Sequence, residues 1–529
     1  VCAMEDLRRR EQVSLGNSII SLGLWIGKKA TPNTFSEAKR IFEEIVLTAE
    51  KPQNPFQLQM CPWCGTSIIP ANKHQDKDAY GVIMKNDLFK LRCPNNDCEF
   101  GGDDQTLPIN VVDQALYLDP PTVLIGTVDK FARLPWDEKA GCFFGSENSD
   151  PPSLIIQDEM HLLAGPLGTI VGAYEAAIES LCKVKSKTGR LPLIIASTAT
   201  IRESDSQSKH LYGRDVSVFP PSGLTAGDSF FAREDLDRPG RLYVGVLGSI
   251  HSKSTSLIRT AAVLAQAPLE IELSESIRDA YWTQVIYHNS LRELGQTTTF
   301  ARDDIPSWIA QIAIDQDLMR RLDDTNVLEI TSNVNSSDLP AALERLNESH
   351  GGDDEVSLLV CTNMFSVGVD VQRLGLILMN SQPKSTAEYI QSTSRVGRAE
   401  DGSRPGLVVC HYATNKPRDR SHYEHFAGYH GALYKYVEPS SVSPTAIRAR
   451  ERVLHAALVI MARHGFGLSS NSDAAKFTRS DEGMAKGIQI LIERYARSDD
   501  SEIAAISDEI NRLASDWEEK TRLNLQYQT

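Results

Sequence analysis

No apolar run in the 529 residues approaches the ~20 residues that a membrane-spanning helix needs. The opening residues do not read as a secretory leader, and the first of them is Val rather than Met. The opening Val1-Cys-Ala-Met-Glu-Asp-Leu-Arg-Arg-Arg10 reads as mid-helix, so the chain is expected to be part of a longer polypeptide. The phosphate-loop pattern Gly-x4-Gly-Lys-[Ser/Thr] occurs nowhere, although Gly27-Lys28 closes a short apolar run. Positive charge is in deficit, with 55 Lys and Arg against 70 Asp and Glu. The resulting net charge of −15 excludes a protein that is basic all over, but not a local groove for a nucleic-acid backbone. Nine cysteines, four of them in metal-like spacing, fit a reducing cytoplasm better than a disulfide framework. A cytoplasmic protein with no membrane partner is the expectation.

The length allows roughly three domains with cores of their own. Leu22–Ile26 reads as a buried strand, and Thr34 with Glu37 caps a helix reaching about Leu47. Then come Cys61-Pro-Trp-Cys64 and Cys93-Pro-Asn-Asn-Asp-Cys98. Each pair can present two thiolates from one tight turn, and two such turns give a tetrahedral four-cysteine site for structural Zn²⁺. All four positions on the metal would be filled by Cys61, Cys64, Cys93 and Cys98, leaving none for catalysis. The other five cysteines read as small buried hydrophobes.

Beyond the cysteines the pattern alternates strand and helix. Thr122–Thr127, Ser153–Gln157 and Leu191–Ala196 are near-continuous apolar runs that end in polar residues, the mark of parallel strands with ligands at their carboxyl ends. The second run delivers Asp158-Glu-Met-His161 and the third Ser197-Thr-Ala-Thr200. Asp158 is suited to hold Mg²⁺ through water, and Glu159 to orient or deprotonate an attacking water. Asp-Glu alone at a strand end is usually just solvated; His161 and the Ser197–Thr200 run make the pattern specific.

Prolines and glycines near 219–221 and 239–241 mark a linker, after which the alternation resumes. Gln284–Ser290, Val327–Ser332, Ser357–Cys361 and Leu374–Met379 read as strands. In Thr362–Asp370, Gly368 and Asp370 suit a nucleotide pocket and Thr362 a nucleic-acid phosphate, though most such loops are plain turns. Ser385 and Glu388 form a capping box that opens a helix, and Gln391, Arg395 and Arg398 are expected at i, i+4 and i+7 on one of its faces. An amide and two guanidiniums there suit a triphosphate in transfer; a solvated basic helix end is the plainer reading. Basic and aromatic residues interleave from Lys416 to Phe426, either to contact phosphates and bases or as a covering loop. From about Ser443 the chain reads as helical, with Ile503, Ile506, Ile510, Leu513 and Trp517 as a core stripe.

Together these stretches resemble the superfamily 2 helicases of the DExH type, over roughly residues 120–400. Asp158–His161 is similar to their motif II and Ser197–Thr200, with Thr198, to motif III. Gly126-Thr127 resembles motif Ib, Tyr287–Ser290 motif IV, and Thr362–Asp370 motif V. Gln391–Arg398 resembles motif VI, with Ser394 where the family usually has Gly. The resemblance implies ATP and Mg²⁺ as cofactors and DNA as partner, with Thr127, Asn289 and Thr362 on the nucleic acid and Arg395 and Arg398 as arginine fingers. It implies an α/β fold of two RecA-like parallel-sheet domains. Residues 1–235 would form the first, with a zinc-knuckle insertion at about 55–105, residues 236–435 the second, and 436–529 a helical C-terminal region. Gly23-Leu-Trp-Ile-Gly27, Ala30-Thr-Pro-Asn33 and Gly165-Pro-Leu-Gly168 resemble more narrowly the helicase subunits of the DISARM anti-phage systems. That likeness implies a bacterial defence motor working with a partner subunit. The missing phosphate loop is expected to precede these residues; a nucleic-acid-binding scaffold with an incomplete ATPase site is the alternative.

Overall fold

The computed structural model describes residues 1–28, 30–85, 88–102, 105–146, 149–198, 204–221, 223–225, 228, 230–231, 233, 235, 237–331, 333–334, 338–365, 370–399, 402–438 and 441–523. The chain forms two compact units, one of residues 1–198, 203–216 and 440–529, the other of 199–202 and 217–439.

In the first unit, β1 (Leu22–Trp25) is followed by a hairpin of β2 (Val82–Lys85) and β3 (Leu88–Leu91), then by β4 (Ile109–Asn110) and β5 (Val123–Gly126). Strands β6 (Leu154–Gln157) and β7 (Leu193–Ala196) complete it. The apolar runs pair in parallel as expected, in the orders β4-β1-β5 and β6-β7. Side chains alternate across a strand, so Leu124 and Ile155 turn onto the main core while their neighbours face away. Val123, Ile125, Leu154, Ile156, Leu193 and Ile195 stay between 44% and 66% exposed, so both sheets carry exposed aliphatic side chains on one face.

The long helix Gly165–Lys185 covers the inner face, its Ala173, Ala176 and Ala177 letting neighbours approach closely. Helices Ile447–Ile460, Glu482–Ala496 and Ile503–Arg522 share this core, so the C-terminal region is built into the unit that begins at residue 1. A buried ion cluster joins them. The Glu179 carboxylate accepts bonds from Arg494 (2.8 Å) and Arg497 (2.6 Å) and lies 3.2 Å from Arg214. Of the expected stripe, Ile506 and Ile510 are fully buried and Leu513 and Trp517 partly so, while Ile503 is exposed where the helix begins. The Thr34 side chain does cap its helix, which runs Phe35–Arg40 and then widens into π turns over Ile41–Val46.

The second unit is one six-stranded sheet, all parallel, of β8 (Arg241–Gly248), β9 (Gln284–His288), β10 (Val327–Ile330), β11 (Leu358–Cys361), β12 (Leu376–Asn380) and β13 (Gly406–Ala413). The order is β10-β11-β9-β12-β13-β8. Both faces are covered, which is why its central strands are largely apolar, with polar residues only at their ends. Val285, Tyr287, Leu359, Ile377 and Met379 enter one core, and Ile286, Leu358, Val360 and Leu378 the other. This is the α/β, parallel-sheet class expected from the sequence.

Candidate functional site

In the first unit, the carboxyl ends of β6 and β7 are tied to each other. Met160 N–H donates to the Ser197 carbonyl at 2.9 Å, and the Ser197 hydroxyl bonds the Asp158 carboxylate. His161 Nδ1 lies 3.3 Å from Glu159 Oε2 and 3.3 Å from Thr198 Oγ1. Glu159 itself has φ +51° and ψ +46°, left-handed backbone that for a residue with a Cβ stores roughly 1–2 kcal/mol. Five of the six residues expected after these two strands, Asp158, Glu159, His161, Ser197 and Thr198, thus meet in one cluster; Thr200 lies outside the described residues. Thr127 is exposed at the start of a short helix, and Gly126 before it has no room for a side chain, since a Cβ would sit 2.9 Å from the Phe131 ring.

In the second unit, Ser385 Oγ accepts the Glu388 N–H (3.2 Å) and opens a helix as expected. The reciprocal arm of the capping box is absent, because Glu388 accepts the Tyr287 hydroxyl at 2.7 Å instead. The helix spans only Thr386–Thr393. Gln391 lies on it, buried, but Arg395 and Arg398 lie in the turn beyond, so the three do not share one helical face. Two contacts end the helix there. Arg241 donates to the carbonyls of Ser394 (3.2 Å) and Val396 (2.8 Å), and Gly397 takes φ +66°, which a helix cannot continue. Arg398 pairs with Asp370 at 2.9 Å. Gly368 lies outside the described residues.

The expected nucleic-acid residues of this unit face inward. Thr362 is 5% exposed, and the Asn289 amide N–H points at the carbonyls of Asn380, Ser381 and Gln382, each 3.4 Å away. Beside them, Glu293 accepts bonds from Lys253 (2.7 Å) and Lys416 (3.0 Å). Burial alone would raise its carboxyl, but the two ammoniums outweigh it and hold it below the usual carboxylate range. Of the aromatics interleaved with basic residues, Phe426 packs against the core and Tyr423 stays 38% exposed, while Tyr429, just beyond them, is buried in it. The segment is two short helices, Pro417–Glu424 and Phe426–Gly431.

The four paired cysteines converge. Cys61 and Cys98 Sγ lie 3.9 Å apart, Cys64 and Cys93 3.4 Å, and all four sulfurs fall within 4.8 Å of one another. Zinc–sulfur bonds of about 2.3 Å in a tetrahedron require sulfurs about 3.8 Å apart, so the donor set fits that ion.

Residues 292–400 match the helicase conserved C-terminal domain. The DISARM protein DrmA of Bacillus paralicheniformis is 38% identical over 569 aligned residues, which cover 99% of this chain and 50% of DrmA. This chain is a helicase-type relative of DrmA. It spans half of that relative's length. The ATP-dependent RNA helicase DDX50 of Mus musculus is 32% identical over 108 residues, 19% of this chain and 14% of its own. Among solved structures, the DUF1998 helicase MrfA bound to DNA aligns at 16% identity with a TM-score of 0.48, over 86% of this chain and 47% of that one. The helicase likeness is to an ATPase-type enzyme family. Among the described residues no helix is long and apolar enough to cross a membrane.

Sequence reasoning missed several residues that organise the candidate site. Arg241, Tyr287 and Glu438 all bond the Gln391-bearing helix or the turn after it, from 52 or more residues away. No local spacing announces such contacts. The buried pair Lys130–Asp113, just after Thr127, was missed for the same reason.

Proposed function

We propose that this chain is part of an ATP-driven DNA helicase or translocase of bacterial anti-phage defence, working with a partner subunit in the cytoplasm. The observation that carries the reading is the cluster at the carboxyl ends of β6 and β7, where Asp158, Glu159 and His161 meet Ser197 and Thr198. Asp158 would hold Mg²⁺, whose chemistry is to neutralise charge on the phosphates of ATP. Glu159 orients and deprotonates the attacking water, and its bonds through His161 to Thr198 link hydrolysis to the next strand. Arg395 and Arg398 bring positive charge to the transferring phosphate, with Asp370 releasing Arg398 for that task. Thr127, Thr362 and Asn289 serve the nucleic-acid side, the last two through the backbone they brace. Cys61, Cys64, Cys93 and Cys98 hold a structural zinc.

The phosphate-gripping Gly-x4-Gly-Lys-[Ser/Thr] would come from residues outside these 529. The exposed aliphatic side chains of β5, β6 and β7 support that reading, because parallel sheets are normally covered on both faces. The pattern's absence here also favours a second reading, a scaffold that binds nucleic acid without turnover. DNA-stimulated ATP hydrolysis by this chain, beside the complete gene product, separates them. Activity at full length alone supports the motor, and silence in both supports the scaffold.

A further inference from the structure

Helix Thr386–Thr393 already has a local cap in Ser385, yet a second one reaches it from far along the chain. The Glu438 carboxylate accepts the Thr386 N–H at 2.8 Å through Oε2, and the Thr386 N–H (3.1 Å) and hydroxyl (3.1 Å) through Oε1. Thr386 is buried, and its N–H is one of the donors a helix start leaves without an internal partner. A carboxylate there is also favoured by the helix dipole. The Tyr429 hydroxyl donates to Thr386 Oγ1 (3.2 Å) and accepts from Gln382 Nε2 (3.2 Å), so the same helix start is held twice.

One turn on, the flank of the helix is held as well. His430 Nδ1 lies 2.8 Å from the Phe426 carbonyl, which can only accept, so Nδ1 carries the proton. The neutral ring then offers Nε2 as acceptor, and the Tyr389 hydroxyl donates to it at 2.8 Å. Tyr389 is fully buried on the helix that carries Gln391. A local cap suffices to start a helix; four further bonds to Thr386 and one to Tyr389, all from residues 429–438, do something else. They fix where the helix sits along and around its axis.

We propose that Glu438, with Tyr429 and His430, is a positioning clamp for helix Thr386–Thr393, and so for the turn that presents Arg395 and Arg398. The inference rests on reading those arginines as phosphate-facing. Their placement matters because a displacement of about 1 Å at a charge-stabilising group can lower a rate by around a hundredfold.

The test is steady-state ATP hydrolysis by the complete gene product carrying Glu438→Ala, Glu438→Gln or Tyr429→Phe, beside Arg395→Ala and Arg398→Ala. Glu438→Ala should lower kcat by about tenfold or more with the KM for ATP within about twofold, since the clamp touches no nucleotide. Glu438→Gln keeps an acceptor for the Thr386 N–H and should recover much of kcat, a rescue that a general loss of folding would not show. Should Glu438→Ala fail to fold, Tyr429→Phe removes one hydroxyl from a filled core and should still lower kcat by about threefold at unchanged KM. Parent-like kcat in the clamp variants, where the arginine variants are inactive, overturns the clamp alone. Parent-like kcat in the arginine variants too overturns the reading beneath it, and the clamp with it.

Discussion

His161 Nδ1 stands 3.3 Å from the hydroxyl of Thr198, joining the loop of the Asp-Glu pair to the end of the neighbouring strand. Glu159 Oε2 is equally close to that same nitrogen, so Nδ1 faces a carboxylate on its own loop and a hydroxyl on the next. A change at either strand end therefore reaches the group assigned to the attacking water.

Glu159→Gln should abolish ATP turnover by the complete gene product while leaving nucleotide binding intact. The substitution keeps the shape of the side chain and removes its basicity. Single-turnover hydrolysis and fluorescent-nucleotide titration check the two halves of that statement, and retained turnover would count against the assignment.

Arg395→Ala and Arg398→Ala should each lower kcat by about 10³–10⁵, the range an arginine finger supplies. Stability should hardly move for Arg398. Its pair with Asp370 joins side chains 36% and 63% exposed, and such pairs contribute about 1 kcal/mol or less. Thermal melts run beside the kinetics distinguish lost chemistry from lost folding.

Freshly purified protein should carry one zinc ion per chain by atomic emission. Stripping it with a chelator should lower the melting temperature of the cysteine-bearing region by about 5 °C or more, because metal binding and folding are coupled there. Cys93→Ser should reproduce the loss. Zinc-free protein with an unchanged melt would sink the four-cysteine site.

Stability of the second unit should fall as pH drops below about 6.5. Burial pushes the His288 imidazole down to about 3 and that of His411 to about 4, from an ordinary 6.5. Both rings are therefore neutral in the fold while the unfolded chain takes up their protons, and stability is lost from pH 6.5 down to those folded values. Each ring contributes up to about 1.4 kcal/mol per pH unit within its window. Denaturant melts between pH 7 and 4 measure the slope, and His288→Asn should flatten it; an unchanged slope would show that the ring is not titrating in the unfolded chain alone.

The cysteine pairs, the strands and the Ser385 cap were legible because each depends on neighbours a few residues apart. A thiolate pair needs one tight turn, a parallel strand needs an apolar run, and a cap needs an oxygen three residues before an N–H. The same local logic overreached at Arg395 and Arg398. Spacing alone continues the helix through them, whereas Arg241 takes the carbonyls of Ser394 and Val396 and Gly397 turns the chain away. Between Lys416 and Phe426 spacing left a ligand-contacting and a covering role equally open, and the fold packs Phe426 against the core while Tyr423 stays exposed.

Residue order was thus enough for the chemistry this chain can attempt: which carboxylates end a strand, which sulfurs can meet, which arginines stand near a helix. Those assignments rest on interactions closed within one turn or one strand, and their energies do not depend on distant parts of the chain. Placement came from contacts closed over long loops. Glu438 on Thr386, Arg494 on Glu179 and the C-terminal helices against Gly165–Lys185 exist only once burial has brought far segments together. Such contacts leave no periodic trace, because nothing in their spacing is set by the geometry of a helix or a strand.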